Sequence, residues 1–195
     1  MAWILALGVP AATSVALAAG GIVAAIPAYH AACLVALAVD RRRVGARLTR
    51  PATRWTLVSI ALLLGGLALA LQLPRPGDIG TILRDRLFGG SESRFWFFAV
   101  YSMAVHCWAE ELFWRGVVDS RSATANGIGF YLQHAIPIAI FLGSPLQGAV
   151  LSIPAGAAGL YWSWVSRRSR SLWPALASHA AADLAILGIV WMLAF

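Results

Sequence analysis

Long apolar segments separated by short arginine-containing gaps are the feature that most limits what this chain can fold into. The first segment, residues 2–39, would be about 57 Å long as one helix, about twice the thickness of the hydrocarbon core of a bilayer. Two helices joined by a tight turn near Gly20 and Gly21 fit this length better. One long, tilted helix kinked at Pro10 or Pro27 is the alternative.

The composition also indicates a membrane protein. Of the 195 residues, 60% are hydrophobic and only 12% are charged, and the mean hydropathy is +0.75. So few charges could not cover the surface of a soluble domain of this size. We therefore predict an all-α fold, a polytopic transmembrane helix bundle of about seven spans in the cell (inner) membrane, with the functional site inside the bundle.

The net charge is +7, and every basic residue is arginine. Because the arginines fall in the gaps between apolar runs, membrane topology explains them better than nucleic-acid binding does. The positive-inside rule places residues 40–54 in the cytoplasm, where contact with anionic lipid is expected. Alternation of the spans then places Arg121, residues 167–170 and the N-terminus inside, and the C-terminus outside.

The later spans are predicted at residues 55–73, 95–118, 123–142, 146–165 and 171–195. Residues 78–90 have apolar residues near helical spacing, which predicts a short helix on the outer interface. Trp162 and Trp164, near the end of one span, are predicted interface residues. No basic stretch precedes the first apolar run, so no cleaved signal peptide is expected.

Cysteine and histidine usage in the apolar runs has a simple interpretation. Cys33 and Cys107 are predicted to be small buried hydrophobic residues and not a disulfide. His30 is predicted to be a packing residue whose hydrogen bonds are satisfied.

One apolar span contains three charged residues, Glu110, Glu111 and Arg115, within residues 95–118. Charged groups at membrane depth cost several kcal/mol and usually mark a function. Glu111 and Arg115 are four residues apart in the favourable order and are expected to form an ion pair. Glu110 points about 100° away around the helix and needs another partner. His106, one turn before Glu110, is interpreted as a supporting hydrogen-bond donor.

Polar residues on two other spans are the candidates for that partner. His134 follows Phe130 by four residues, so the two share a helix face. His179 and Asp183 are related in the same way. Counted from the nearest cytoplasmic arginines, Glu110 and both histidines lie at similar depths, roughly 13 to 20 Å into the membrane. These residues can therefore occupy one layer on three helices.

Such a layer suits more than one kind of chemistry. A glutamate and a histidine converging on water form a general base, and a histidine beside a protonated acid can stabilise an oxyanion. Together they describe hydrolysis of an acyl bond, most simply a peptide. Glu110, His134 and His179 could instead hold Zn²⁺ with an open position, although the H-E-x-x-H signature is absent. A third interpretation is a hydrogen-bond network that only holds the bundle together.

The polar residues form three motifs in order, E-E-x-x-x-R at 110–115, F-x-x-x-H at 130–134 and H-x-x-x-D at 179–183. This signature resembles the CAAX-protease and bacteriocin-processing (CPBP) family of intramembrane proteases, which includes the type II CAAX prenyl endopeptidases. Trp114 occupies a position where phenylalanine is common in that family. The resemblance covers residues 95–195, which it predicts to be a CPBP-like catalytic core. Residues 1–94, predicted to be N-terminal transmembrane helices and a loop, carry no motif of the family.

The resemblance implies a role for each motif residue. Glu110 would be the catalytic base and would activate water together with His134. His179 and Asp183 would form the oxyanion-stabilising pair. Because asparagine is frequent at the last position, Asp183 would act either as a protonated donor or by orienting His179.

The implied function is an intramembrane endopeptidase of the glutamate type that needs no cofactor and cuts near a membrane-embedded or lipidated segment. In it, Glu111 and Arg115 are the supporting ion pair. The implied partners are a membrane-anchored peptide or protein substrate and the lipid bilayer, with no nucleic acid. A zinc-dependent mechanism and a non-proteolytic membrane scaffold or regulator are the alternatives. A transporter ranks last, because no inverted repeat is evident. The lysine-free, arginine-rich composition suggests a bacterial source.

Overall fold

The structure is a computed structural model that describes residues 1–70, 72 and 79–195, except for the side chains of residues 20–24, 39, 40, 42, 43, 69, 70 and 79. The described residues form helices and turns without a strand, which confirms the predicted all-α class. The helices are α1 (Ala2–Leu48), α2 (Thr53–Ala70), α3 (Ile79–Ile82), α4 (Glu92–Tyr101), α5 (Cys107–Glu111), α6 (Ala123–Leu142), α7 (Pro145–Leu151), α8 (Ile153–Ser169) and α9 (Trp173–Ala194), with π-helical segments at Leu83–Leu87, Ser102–His106 and Leu112–Val118.

The N-terminal segment differs in one respect from the predicted pair of helices. The backbone of α1 is helical throughout, so the predicted interruption at residues 20–21 is not observed. Its two parts nevertheless lie side by side, because Leu5 and Val9 line the same cavity as Ala32 and Ala36. Leu5 and Ala32 would be about 40 Å apart in a straight helix. The helix is therefore strongly bent between these two parts, which lie against each other.

Three described helical stretches are long and apolar enough to cross a membrane, and two more are apolar but shorter. The long ones are Ala2–Ala19, Ala123–Leu142 and Trp173–Ala194, and the shorter ones are Ala25–Ala38 and Thr53–Ala68. The span predicted at 146–165 is divided between α7 and α8, because Pro154 lacks the N–H that would continue α7. The predicted end of the third span at residues 74–77 falls outside the described residues.

The arginine-bearing helix ends meet at one end of the bundle. The Ser171 hydroxyl donates to the backbone carbonyl of Arg50 at 2.6 Å, and the Trp173 indole donates to that of Leu48 at 2.8 Å. These bonds connect the end of α1 to the turn between α8 and α9. The predicted alternation of spans requires this arrangement.

A short helical segment lies across the opposite end of the bundle. Arg86, which follows α3, donates to the carbonyl of Phe141 in α6 at 3.3 Å. Gly80 packs so closely on α9 that a β-carbon there would lie 2.0 Å from the carbonyl oxygen of Leu193. This position agrees with the interfacial helix predicted for residues 78–90.

The residues of the first motif lie in the centre of the bundle. The stretch 92–118 contacts α1, α6 and α9, and the side chains of Phe113, Trp114 and Arg115 are completely buried. A glycine allows the next layer to approach, because a β-carbon at Gly159 would lie only 2.4 Å from the ring of Phe130. The fold therefore encloses the motif in packed side chains on several sides.

Candidate active site

The two glutamates of the first motif lie on a helix whose winding changes on both sides. Glu110 and Glu111 end α5, which is flanked by the π-helical segments Ser102–His106 and Leu112–Val118. Such π-helical turns are frequent at functional sites. Neither glutamate exposes more than 1% of its surface. Buried charges need polar partners, and other helices supply them.

The Glu110 carboxylate is held mainly by α1. The Tyr29 hydroxyl donates to Oε1 at 2.7 Å and accepts a hydrogen bond from the Trp114 indole N–H at 2.8 Å. His106 Nε2 lies 3.7 Å from Oε1, and His179 Nε2 lies 3.8 Å from Oε2. Oε2 is buried and has no hydrogen-bond partner among the described residues. The hydrogen bond to Oε1 thus orients the carboxylate, and Oε2 remains without a hydrogen bond.

The structure contains the predicted ion pair between Glu111 and Arg115, with Nε 3.3 Å from Oε2. The other Glu111 oxygen lies 2.9 Å from Nδ1 of His179. The Arg115 guanidinium lies 4.0 Å from the ring centre of Phe130 and 5.2 Å from that of Trp162. This ion pair therefore connects the first motif to the other two.

His179 stands among three carboxylates. Its Nε2 lies 3.5 Å from Asp183 Oδ1, in addition to its contacts with the two glutamates. The Cys107 thiol donates to the other Asp183 oxygen at 3.1 Å. The ring of Trp162 stacks on the imidazole, with 4.4 Å between ring centres and 19° between planes. Both ring nitrogens of His179 therefore face carboxylate oxygens.

His134 meets the third motif at a cavity of about 650 Å³. Its Nδ1 bonds the backbone carbonyl of Phe130 at 2.9 Å; that oxygen can only accept, so Nδ1 carries the proton and Nε2 is left as an acceptor. His134, His179 and Asp183 line the cavity, whose other walls are mostly apolar residues of α2, α8 and α9. Glu110 does not line this cavity and adjoins it through His179.

A chain of polar groups leads from Glu110 to α4. His106 Nδ1 lies 3.0 Å from His30 Nε2, and His30 Nδ1 bonds the Tyr101 hydroxyl. The hydrogen bonds of His30 are thus satisfied, as expected for a packing residue. Its partner His106 nevertheless touches the carboxylate at the centre of the site.

Several of these residues were not identified from the sequence. Trp162 was predicted at the interface, but it is only 4% exposed and covers His179, whereas Trp164 is 48% exposed. Tyr29 and Tyr101 belong to none of the three motifs. The sequence signal that could have identified Tyr29 is its position next to His30 in an apolar run. Cys107 was recognised as buried, and both cysteines are buried and free, but its bond to a site carboxylate was not foreseen.

Among the residues that the structure describes, two sets of side chains bring donor atoms close enough together to hold a metal ion. Three side chains with an open position are typical of catalytic zinc, and histidine ligands usually bond a second group through their other nitrogen. His106, which bonds His30, and His179, which bonds Glu111, meet that second condition. The residues therefore fit a metal ion, although His106 replaces the predicted histidine of α6. The sets are His106, Glu110 and His179, and Cys107, His179 and Asp183.

The fold and the site together define an all-helical membrane protein with a buried cluster of carboxylates and histidines. Residues 92–185 match the sequence model of the family described as type II CAAX prenyl endopeptidase Rce1-like. This region therefore matches the CAAX protease family, as the three motifs predicted. The family is one of peptidases whose protein substrates lie in a membrane. Searches of curated proteins and of solved structures gave no significant match.

Proposed function

We propose that the protein is an intramembrane endopeptidase that hydrolyses a peptide bond near a membrane-embedded or lipidated segment of its substrate. The observation that carries the proposal is a difference between the two oxygens of the Glu110 carboxylate, since only one of them is hydrogen-bonded. Tyr29 orients one oxygen at 2.7 Å, and the other is buried, 3.8 Å from His179 and without a hydrogen-bond partner among the described residues. A general base needs one oxygen free to take a proton from water, and Oε2 of Glu110 has no competing hydrogen bond among the described residues.

The proposed reaction uses these groups as follows. Oε2 of Glu110 takes a proton from water, and the resulting hydroxide attacks the carbonyl carbon of the peptide bond. His134 accepts the second hydrogen bond of that water through its free Nε2. Negative charge develops on the carbonyl oxygen, and His179 stabilises it. The C–N bond then breaks, and Glu110 returns its proton to the leaving amine.

Asp183 supports this reaction by orienting His179. Its two oxygens face the Cys107 thiol at 3.1 Å and His179 Nε2 at 3.5 Å, so both are placed as acceptors. An ionised carboxylate suits that arrangement better than a protonated one. Of the two roles that the sequence left open for Asp183, orientation is therefore the better supported.

The apolar cavity beside the histidines is suited to a membrane-anchored substrate. Its volume of about 650 Å³ is within the range of ligand-binding pockets, and α2, α8 and α9 supply mostly apolar walls. An apolar segment in that space would bring a flanking peptide bond to His134 and His179. We place the chain as a multi-pass protein of the cell membrane, with the arginine-bearing end in the cytoplasm.

The test is cleavage by purified protein of a panel of membrane-anchored and lipidated peptides. Glu110→Gln keeps the shape of the side chain and removes the base, so we expect cleavage to fall by at least about 100-fold. Glu92→Gln, at the exposed start of α4, is the matched control and should cleave normally. A folded Glu110→Gln protein with full activity would refute the proposal.

The metal-dependent mechanism has a specific observation in its favour, the convergence of His106, Glu110 and His179. Elemental analysis and a chelator distinguish it on the same sample. Stoichiometric metal with chelator-sensitive cleavage would assign these residues as ligands. Chelator-resistant cleavage that still requires Glu110 would support the glutamate mechanism.

A further inference from the structure

A second polar pocket lies at the arginine-bearing end of the bundle, formed by residues outside the candidate active site. Its volume is about 360 Å³. One wall comes from the end of α1 and the turn that follows it, and the other from the end of α8. We call it the arginine pocket, and its lining residues are Ala46, Arg47, Arg50, Ser166, Arg167 and Arg170.

The arginine pocket holds more positive charge than its neighbours neutralise. The Asp119 carboxylate forms an ion pair with Arg167. Burial lowers the pKa of Arg47, an effect that Asp119 opposes and Arg167 reinforces. Arg50 and Arg170 have no ion pair with a carboxylate among the described residues. An anion in this pocket would offset the repulsion among the guanidinium groups.

The two walls of the pocket are held together by the fold. Hydrogen bonds from Ser171 to the carbonyl of Arg50 and from Trp173 to that of Leu48 join chain segments more than a hundred residues apart. The Arg47 side chain is also held in place, because its guanidinium donates to the backbone carbonyl of Arg115 at 2.5 Å. The two walls of the pocket are therefore fixed relative to each other.

The backbone of Arg170 gives a second, independent indication. Arg170 ends α8 with φ 54° and ψ 28°, and it is the non-glycine residue with positive φ among the described residues. Glycine is the usual residue in this left-handed conformation at a helix end. This conformation costs an arginine backbone energy, which a role for its side chain would offset. Ser166 adds a completely buried hydroxyl without a hydrogen-bond partner at the same pocket.

Tryptophans near the pocket indicate its depth in the membrane. The rings of Trp55 and Trp164 are 5.5 Å apart, and the Trp173 indole donates to the backbone carbonyl of Leu48 at 2.8 Å. Trp164 and Trp173 stand on either side of the arginines in the sequence. Tryptophan gathers at the level of lipid headgroups. A lipid phosphate is therefore available at the height of the pocket.

We propose that the arginine pocket binds the phosphate group of an anionic phospholipid headgroup. Guanidinium groups match phosphate oxygens with paired, charge-assisted hydrogen bonds. The bound phosphate would also hold Arg47, which contacts the backbone of the first motif. The proposal does not depend on proteolysis, because binding can be measured without a substrate.

The experiment measures thermal stabilisation of the purified protein in neutral detergent as phosphatidylglycerol, phosphatidylcholine or inorganic phosphate is added. Arg170→Gly removes one guanidinium and relaxes the backbone, so the fold should persist. Arg50→Gln is the second pocket variant. Arg168→Gln is the matched control, because Arg168 is exposed in the same turn and does not line the pocket.

Phosphatidylglycerol should stabilise wild type and Arg168→Gln alike, with apparent affinity at least about tenfold weaker in Arg170→Gly and Arg50→Gln. Phosphatidylcholine should give no comparable effect. If inorganic phosphate alone gives the full effect, the phosphate chemistry is supported and the lipid source is overturned. Equal losses of about fivefold in all three variants would mean diffuse surface charge and overturn the pocket. Equal stabilisation of wild type by both lipids would overturn it as well.

Discussion

Removal of the Tyr29 hydroxyl tests whether α1 supports the carboxylate at the centre of the site. In Tyr29→Phe, Glu110 loses a donor at 2.7 Å, and the buried Trp114 N–H loses its acceptor at 2.8 Å. A hydrogen bond to a charged group contributes about 1.5–3 kcal/mol, and an unpaired buried N–H costs about 1–3 kcal/mol. Because the two effects share one group and do not add, we expect the free energy of unfolding to fall by at least about 2 kcal/mol.

The assay is equilibrium unfolding in detergent, followed by tryptophan fluorescence. Tyr131→Phe is the matched control, since its hydroxyl donates at 2.9 Å to an uncharged backbone carbonyl, that of Ala149. That loss should cost only about 0.5–1.5 kcal/mol. In double-mutant cycles with Glu110→Gln, Tyr29→Phe should show a coupling energy of about 1 kcal/mol, and Tyr131→Phe none. Additive effects of Tyr29→Phe and Glu110→Gln would refute the contact on which the site geometry rests.

Three further predictions use the same unfolding assay or a labelling assay. Gly159→Ala should lower the free energy of unfolding by about 1–3 kcal/mol, because the new methyl group would lie 2.4 Å from an aromatic ring. Gly188→Ala is the control and should not destabilise the protein, because no atom lies within 4 Å of the added methyl group. Equal effects of the two substitutions would contradict the packing. Arg115→Lys keeps the charge but loses the planar group that pairs with the buried Glu111 and stacks on the ring of Phe130. It should therefore lower the free energy of unfolding by about 3–5 kcal/mol. A loss below about 1 kcal/mol would argue against a tightly packed pair. Cys33 and Cys107, at most 1% exposed, should react with a maleimide only after unfolding, and rapid labelling of the native protein would exclude the observed burial.

Contacts within one helix were predictable from the sequence because the α-helix has a fixed repeat. Glu111 and Arg115 are four residues apart, as are His179 and Asp183, and both pairs are in contact. No sequence signal indicated the π-helical segments around α5, although the contact between Glu111 and Arg115 extends into one of them. The division of the span at 146–165 was missed because the apolar pattern continues across Pro154, and hydropathy does not register a missing N–H donor.

Contacts between helices required the tertiary structure. The hydroxyl of Tyr29 reaches a carboxylate 81 positions away, and nothing in the spacing of an apolar helix indicates which of its faces meets which partner. Depth counting placed Glu110, His134 and His179 in one layer, but it could not show that the two histidines line the cavity while Glu110 lies beside it. The rotation of each helix about its axis decides such contacts, and packing sets that rotation.

The sequence by itself determined the membrane class, the all-helical fold and the family, because hydropathy, charge position and three ordered motifs are properties of the linear chain. Only the tertiary structure decided which groups satisfy the buried charges. It showed that Trp162, predicted at the membrane interface, stacks on His179, and that arginines from the ends of α1 and α8 line one pocket. The physical reason is that burial of a charge depends on every helix around it, so the partners are chosen by the whole bundle and not by neighbours in sequence.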